Sequence, residues 1–152
     1  MNGDVLIVGI GNEYRGDDGV GLAVAAAVAE RQLQGVRVMN ATGEPASILD
    51  AWAGVALAVV VDAAVGEGST PGRIRRWTPG REDPPTVVSS HSFGLAQTLE
   101  LGQAVGRLPQ KVVVFTVDIE HFDHGVGLTA AVANAVPAVV DDIIAELEKQ
   151  MA

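Results

Sequence analysis

Residues 5–30 constrain the fold of this chain more than any other stretch. An apolar run at 5–8 leads into Gly9-Ile10-Gly11-Asn12-Glu13-Tyr14-Arg15-Gly16-Asp17-Asp18-Gly19-Val20-Gly21, and an alanine-rich run follows at 22–30. The first run is too short for a helix, the glycines break regular structure, and the last run outlasts a strand. The order is therefore strand, turn, helix. Such a turn commonly cradles phosphate, because a helix N-terminus presents unpaired amides and glycine lets a ligand approach the backbone. This turn departs from both phosphate patterns. The dinucleotide fingerprint calls for a third glycine where Tyr14 stands, and the Walker pattern calls for Lys then Ser or Thr where Asp17 and Asp18 stand. Two carboxylates repel a phosphate and suit a divalent cation. An Asp just before a helix is also a favoured cap. One of the pair is therefore expected to cap this helix, and both doing so is not expected.

The same alternation continues downstream. Residues 20–32 read as a helix ending near Gly35, 36–39 as a strand, and 45–53 as a helix with Pro45 in a first turn that tolerates it. Residues 55–62 form the most apolar strand. Three strands with two intervening helices predict an α/β sheet whose short apolar runs are covered on both faces. A Gly, Ser and Pro loop at 63–72 then leaves no room for a crossover helix before the short strand at 73–77. That strand is expected to be antiparallel and at an edge. Residues 78–85 are charged and proline-rich, 92–104 read as a helix and 111–117 as a strand. Residues 129–151 read as mostly helical, with Pro137 offsetting the first turns. Without an internal repeat or linker, residues 1–152 are expected to form one domain, large enough to bury roughly 70% of the surface of the unfolded chain.

Composition removes several chemistries. With no cysteine there is no disulfide framework, thiolate nucleophile or Cys-based metal site, which fits a reducing compartment. The formal charge of -9 disfavours nucleic acid as a partner and favours a basic segment or a cation. No apolar stretch approaches the roughly 20 residues that span a bilayer, and the first residues lack the basic start of a signal peptide. A cytoplasmic protein with no membrane partner is the expectation.

In open α/β sheets, ligands sit beyond the carboxyl ends of strands, where the winding reverses. Asp17 and Asp18 follow the first strand, Asp62 ends the third, and His121, Asp123 and His124 follow the strand at 111–117. If the second strand packs outside the first, strands one and three are neighbours and Asp18 converges with Asp62. His91, in Ser89-Ser90-His91-Ser92-Phe93-Gly94, is the nearby imidazole. Two carboxylates and one imidazole suit a zinc- or nickel-like ion with open positions. An Asp ending a strand also serves as a cap, and a His in a serine loop is commonly just hydrogen-bonded. There is no nucleophile elbow, and Ser90 beside His91 makes a poor dyad because adjacent side chains on a strand point apart.

Gly9-x-Gly11-Asn12, Asp17-Asp18-Gly19-x-Gly21, the strand ending at Asp62, Ser90-His91-x-x-Gly94-Leu95 and Gly127-Leu128-Thr129 occur in the order seen in the hydrogenase maturation endopeptidases. The chain resembles that family from Val5 to about Ile144. The resemblance implies a three-layer α/β/α sandwich with a mixed, mostly parallel five-stranded sheet of order 2-1-3-5-4, strand 4 being antiparallel. It implies an endopeptidase that removes a C-terminal extension from the precursor of a nickel-iron hydrogenase large subunit after nickel insertion. It also implies that Asp18, Asp62 and His91 are both the metal-contacting and the catalytic residues, which leaves Asp17 as the expected helix cap. The nickel would be carried by the substrate, with zinc or cadmium able to occupy the same ligands in vitro. Many members have Glu where this chain has the shorter Asp18. Many also have an Asp-Gly-Gly-Thr turn where this chain has Asn40-Ala41-Thr42-Gly43-Glu44-Pro45, a departure that bears on which precursor is recognised.

A metal held by these residues would polarise the scissile carbonyl and activate a water. Alternatively, one carboxylate would act as general base. Two other classes remain open from sequence: a non-catalytic nickel-binding or chaperone module, and a nucleotide-binding α/β domain.

Overall fold

The computed structural model describes residues 4–12, 14–42, 44–65, 68–79, 88–89, 92–119 and 127–151. Five strands make up the main sheet: β1 (Val5–Ile10), β2 (Val36–Ala41), β3 (Leu57–Val65), β4 (Ile74–Trp77) and β5 (Lys111–Asp118). Their order is β2-β1-β3-β5-β4, and a two-residue strand, Val88–Ser89, pairs antiparallel with the end of β3. The β1–β2, β1–β3 and β3–β5 pairs are parallel, and β4 runs antiparallel to β5 at the edge. The predicted strand order and the antiparallel edge strand are both observed.

Among the described residues, four α-helices cover the two faces: α1 (Val20–Glu30), α2 (Pro45–Trp52), α3 (Ser92–Val105) and α4 (Ala130–Met151). Side chains alternate across a strand, so each strand feeds two cores. Ile7, Val59, Val61, Val113 and Phe115 pack with Val20, Val24 and Val28 of α1 and with Val139 and Ile143 of α4. Leu6, Val8, Ala58, Val60 and Val114 pack with Ile48 and Trp52 of α2 and Leu95 of α3. Burial on both faces explains why these strands read as unbroken apolar runs; each fully buried Val, Leu or Ile contributes roughly 1.5–3 kcal/mol. Trp52 is wholly buried, yet its indole Nε1 donates to the Arg107 carbonyl at 2.8 Å, so burial leaves no orphaned donor.

Two local expectations change, and one cap is new. β3 continues through Ala63, Ala64 and Val65, so Asp62 lies inside the strand and not at its end. The extension is held by pairing that is remote in sequence: Ala64 is opposite Asp118 in β5 and Ser89 in the short strand. The α2 N-cap is the Glu44 side chain, which accepts from the N–H groups of Ala46 and Ser47 at 2.7 and 3.4 Å. Finally, α4 is one helix with Pro137 inside it. Pro137 is exposed, as is Ala133, four residues earlier, whose carbonyl the proline cannot serve with an N–H.

Glycine sets how closely α1 approaches the sheet. A Cβ at Gly21 would lie 2.4 Å from the Ile10 carbonyl oxygen and 2.5 Å from that of Val61. A Cβ at Gly9 would lie 2.4 Å from the Gly21 carbonyl oxygen. The first turn of α1 therefore rests directly on the carboxyl end of β1 and on β3 beside it, which places the turn before it over the same part of the sheet.

Candidate active site

The loop after β1 is folded by its own backbone. The Asn12 side chain accepts from the Tyr14 N–H at 2.9 Å, an Asx turn, and the Asn12 carbonyl accepts from the Arg15 N–H at 3.1 Å. Gly16 has a φ of 58°, which favours glycine, and opens a single 3₁₀ turn, Gly16–Gly19. Within it the Asp18 N–H donates to the Arg15 carbonyl at 3.2 Å, and the Asp18 carbonyl accepts from the Asn12 N–H at 3.4 Å. A Cβ on Gly11 would come within 2.2 Å of the Asp18 carbonyl oxygen, so the turn lies flat on the end of β1. Asp18 itself is only 1% exposed.

Asp62 reaches the same level from the neighbouring strand. Gly9 is in register with Val61, so Asp62 is next to the last residue of β1, and the 3₁₀ turn packs against β3. Asp62 is wholly buried, and its Oδ1 accepts from the Ala63 N–H at 2.8 Å. It shares the α2/α3 side of the sheet with Val60, and Thr116 of β5 lies opposite it. The topology thus brings Asp18 and Asp62, which are remote in sequence, to one end of one sheet. Both supply carboxylate oxygen, a donor type suited to divalent cations. His91, His121, Asp123 and His124 lie outside the described residues. Among the described residues no group of three or more His, Asp or Glu side chains is arranged to hold a metal ion.

Asp17 corrects one expectation. Neither the 3₁₀ turn nor α1 has a side-chain cap bond. The Asp17 carboxylate instead accepts from the Thr129 N–H at 2.7 Å and the Thr129 hydroxyl at 2.8 Å, immediately before α4. The residue complements a helix N-terminus, as its chemistry suggests, but that helix begins more than a hundred residues away.

A fourth buried acid escapes a sequence reading that ends this strand at Val117. Asp118 accepts from Arg75 Nε at 3.0 Å and Nη2 at 3.2 Å, and from the Thr70 N–H at 3.1 Å. Arg75 is opposite Thr116 across the antiparallel β4–β5 pair, which makes Asp118 its diagonal neighbour. The pair fastens the 68–73 segment to the end of β5. The one sequence signal for it is an Asp closing an apolar strand while an Arg interrupts the adjacent edge strand.

Comparison with known proteins adds an independent line. The family model described as HycI, hydrogenase maturation protease, matches residues 22–146, a span that begins just after the glycine-rich turn and includes Asp62. The hydrogenase 2 maturation protease of Escherichia coli (strain K12) is 23% identical over 151 residues, covering 95% of this chain and 91% of that protein. The fold is that of the hydrogenase maturating endopeptidase HybD from E. coli, with a TM-score of 0.82 at 21% identity over 96% of this chain and 93% of that one. The [NiFe] hydrogenase maturation protease HybD from Thermococcus kodakarensis superposes with a TM-score of 0.78 at 23% identity, covering 95% of this chain and 98% of that one.

Proposed function

This chain belongs to the hydrogenase maturation protease family, and from that premise we propose that it cuts a C-terminal extension from the precursor of a nickel-iron hydrogenase large subunit once nickel is in place. The observation that carries the reading is that Asp18, in the turn after β1, and Asp62, in β3 beside the last residue of β1, are both almost wholly buried toward one end of the sheet, and that this turn does not suit phosphate.

The nickel belongs to the substrate. Asp18, Asp62 and His91 are the ligands this chain offers it, leaving the remaining positions to the precursor, so cleavage waits for a loaded metal centre. Nickel bound in this way would polarise a nearby scissile carbonyl. The protein's own task is to hold two carboxylates where the precursor's metal arrives and to present one of them as a base toward water. Glycine packing and backbone bonds hold the segments that carry those carboxylates before substrate binds, which limits the reorganisation needed at the moment of cleavage. The acidic chain, at -9, suits a precursor segment that is basic or metal-bearing. Among the described residues no helix is long and apolar enough to cross a membrane.

Intact-mass analysis of the precursor after incubation with the protein tests the reading. Loss of a C-terminal peptide with the native chain, and not with Asp18→Ala or Asp62→Ala, is expected. An unchanged precursor mass with the native chain overturns it.

A further inference from the structure

The Asp17–Thr129 contact takes part in no step of the proposed reaction, yet it joins the turn that carries Asp18 to the start of α4. We propose that Asp17 is a positioning residue that fixes the direction of Asp18 by clamping the 3₁₀ turn to the N-terminal end of α4 through Thr129. The proposal rests on the reading of Asp18 as a residue that engages the substrate's metal.

Asp17 is 7% exposed, and its two oxygens are satisfied by the amide and the hydroxyl of the same residue, at 2.7 and 2.8 Å. Two bonds from one partner fix the plane of the carboxylate as well as its place, and bonds to an ionised group are short and strong. The Thr129 carbonyl accepts from the Ala133 N–H at 2.8 Å, so Thr129 is the N-cap of α4. The Asp17 charge therefore sits at the positive end of the helix dipole.

The 3₁₀ turn has no side-chain cap of its own, and the backbone bonds at Asp18 to Arg15 and from Asn12 are long, at 3.2 and 3.4 Å, so the clamp adds to what holds the turn. In a helix of about three residues per turn, successive side chains leave the axis roughly 120° apart. With Asp17 held toward α4, Asp18 must point to another side of the turn, and that turn lies on Gly11 and packs against β3. Releasing Asp17 frees the turn to rotate and takes Asp18 with it.

The test uses the full chain with Asp17→Ala, Asp17→Asn and Thr129→Val. Asn preserves both contacts, accepting from the Thr129 N–H and donating to the hydroxyl. Val retains the shape and the N–H of Thr129 and loses the hydroxyl. Hydrogen exchange at the amides of Asp18 and Gly19 is expected to speed up at least about 10-fold in Asp17→Ala while β1 amides stay protected. For precursor cleavage at a temperature where every variant is folded, kcat is expected to fall about 10- to 100-fold in Asp17→Ala. KM should stay within about 2-fold, because a positioning defect acts in the transition state. Asp17→Asn should recover to within about 3-fold of the native rate. Thr129→Val should add little to Asp17→Ala, since the two residues act as one unit. Unchanged exchange at Asp18, or native kcat in folded Asp17→Ala, overturns the proposal and leaves a contact that serves stability alone. A native protein that leaves the precursor intact overturns the protease reading instead, and the exchange at Asp18 still decides whether Asp17 holds it.

Discussion

Gly21→Ala probes how the helix packing positions the site. The added methyl would stand 2.4 Å from the Ile10 carbonyl oxygen and 2.5 Å from that of Val61, where ordinary contact begins at 3.4 Å. Both obstacles are backbone, on two different strands, so neither can swing aside. The start of α1 must lift by about 1 Å, because interiors are close-packed and transmit strain. Overpacking of this kind costs roughly 1–3 kcal/mol, offset in part by the better helix propensity of Ala, worth about 0.8–1 kcal/mol. A net loss of up to about 2 kcal/mol lowers the melting temperature of a chain this size by up to roughly 8 °C. The catalytic effect should be larger in proportion. Asp18 is three residues before Gly21, and a misplacement of about 1 Å can cost on the order of 100-fold in rate. Gly35→Ala is the control. Gly35 has a φ of 76° with open space around the missing Cβ, and it lies beside the start of β1 at the other end of the sheet. Its substitution costs about 1–2 kcal/mol of backbone strain and should leave the cleavage rate unchanged. Thermal melts give the stability of each variant, and precursor cleavage is timed below both melting temperatures. Native activity in Gly21→Ala, or a matching loss in Gly35→Ala, refutes the argument that this helix packing sets the site.

Other expectations separate stability from chemistry. Arg75→Ala leaves Asp118 buried with only part of its partners and should cost about 3–5 kcal/mol, a fall of roughly 1.5–2.5 M in the urea midpoint for a slope of about 2 kcal/mol per M. Arg107→Ala removes an ion pair to Asp50 whose side chains are 57% and 76% exposed and should cost under about 1 kcal/mol; equal midpoint shifts for the two variants would contradict the distinction. Asp18→Asn and Asp62→Asn keep the shape of the side chains and should lower the cleavage rate at least about 100-fold, measured on nickel-loaded precursor. Far-ultraviolet circular dichroism of both should match the native chain, so that a lost fold is not mistaken for lost chemistry.

Much of the fold was legible because burial on both faces writes strands as plain apolar runs, as in β1, β3 and β5. The edge position of β4 followed from a connection too short for a crossover helix. That Asp18 and Asp62 lie toward one end of the sheet followed from strand order, once β1 and β3 were neighbours. What escaped depended on partners distant in the chain. The last residues of β3 are strand because Asp118 and Ser89 lie opposite Ala64. Asp17 read as a local cap because an Asp before a helix usually is one, and nothing nearby in sequence points to Thr129. The Arg75–Asp118 pair likewise appears only when β4 is laid antiparallel on β5.

The central claim is that a metal carried by the substrate licenses cleavage through Asp18 and Asp62. The direct measurement is the C-terminal mass of purified large-subunit precursor, loaded with nickel or free of it, after incubation with this protein. The account expects the loaded precursor to lose its C-terminal peptide and the nickel-free precursor to remain whole. Equal processing of the two forms would contradict it.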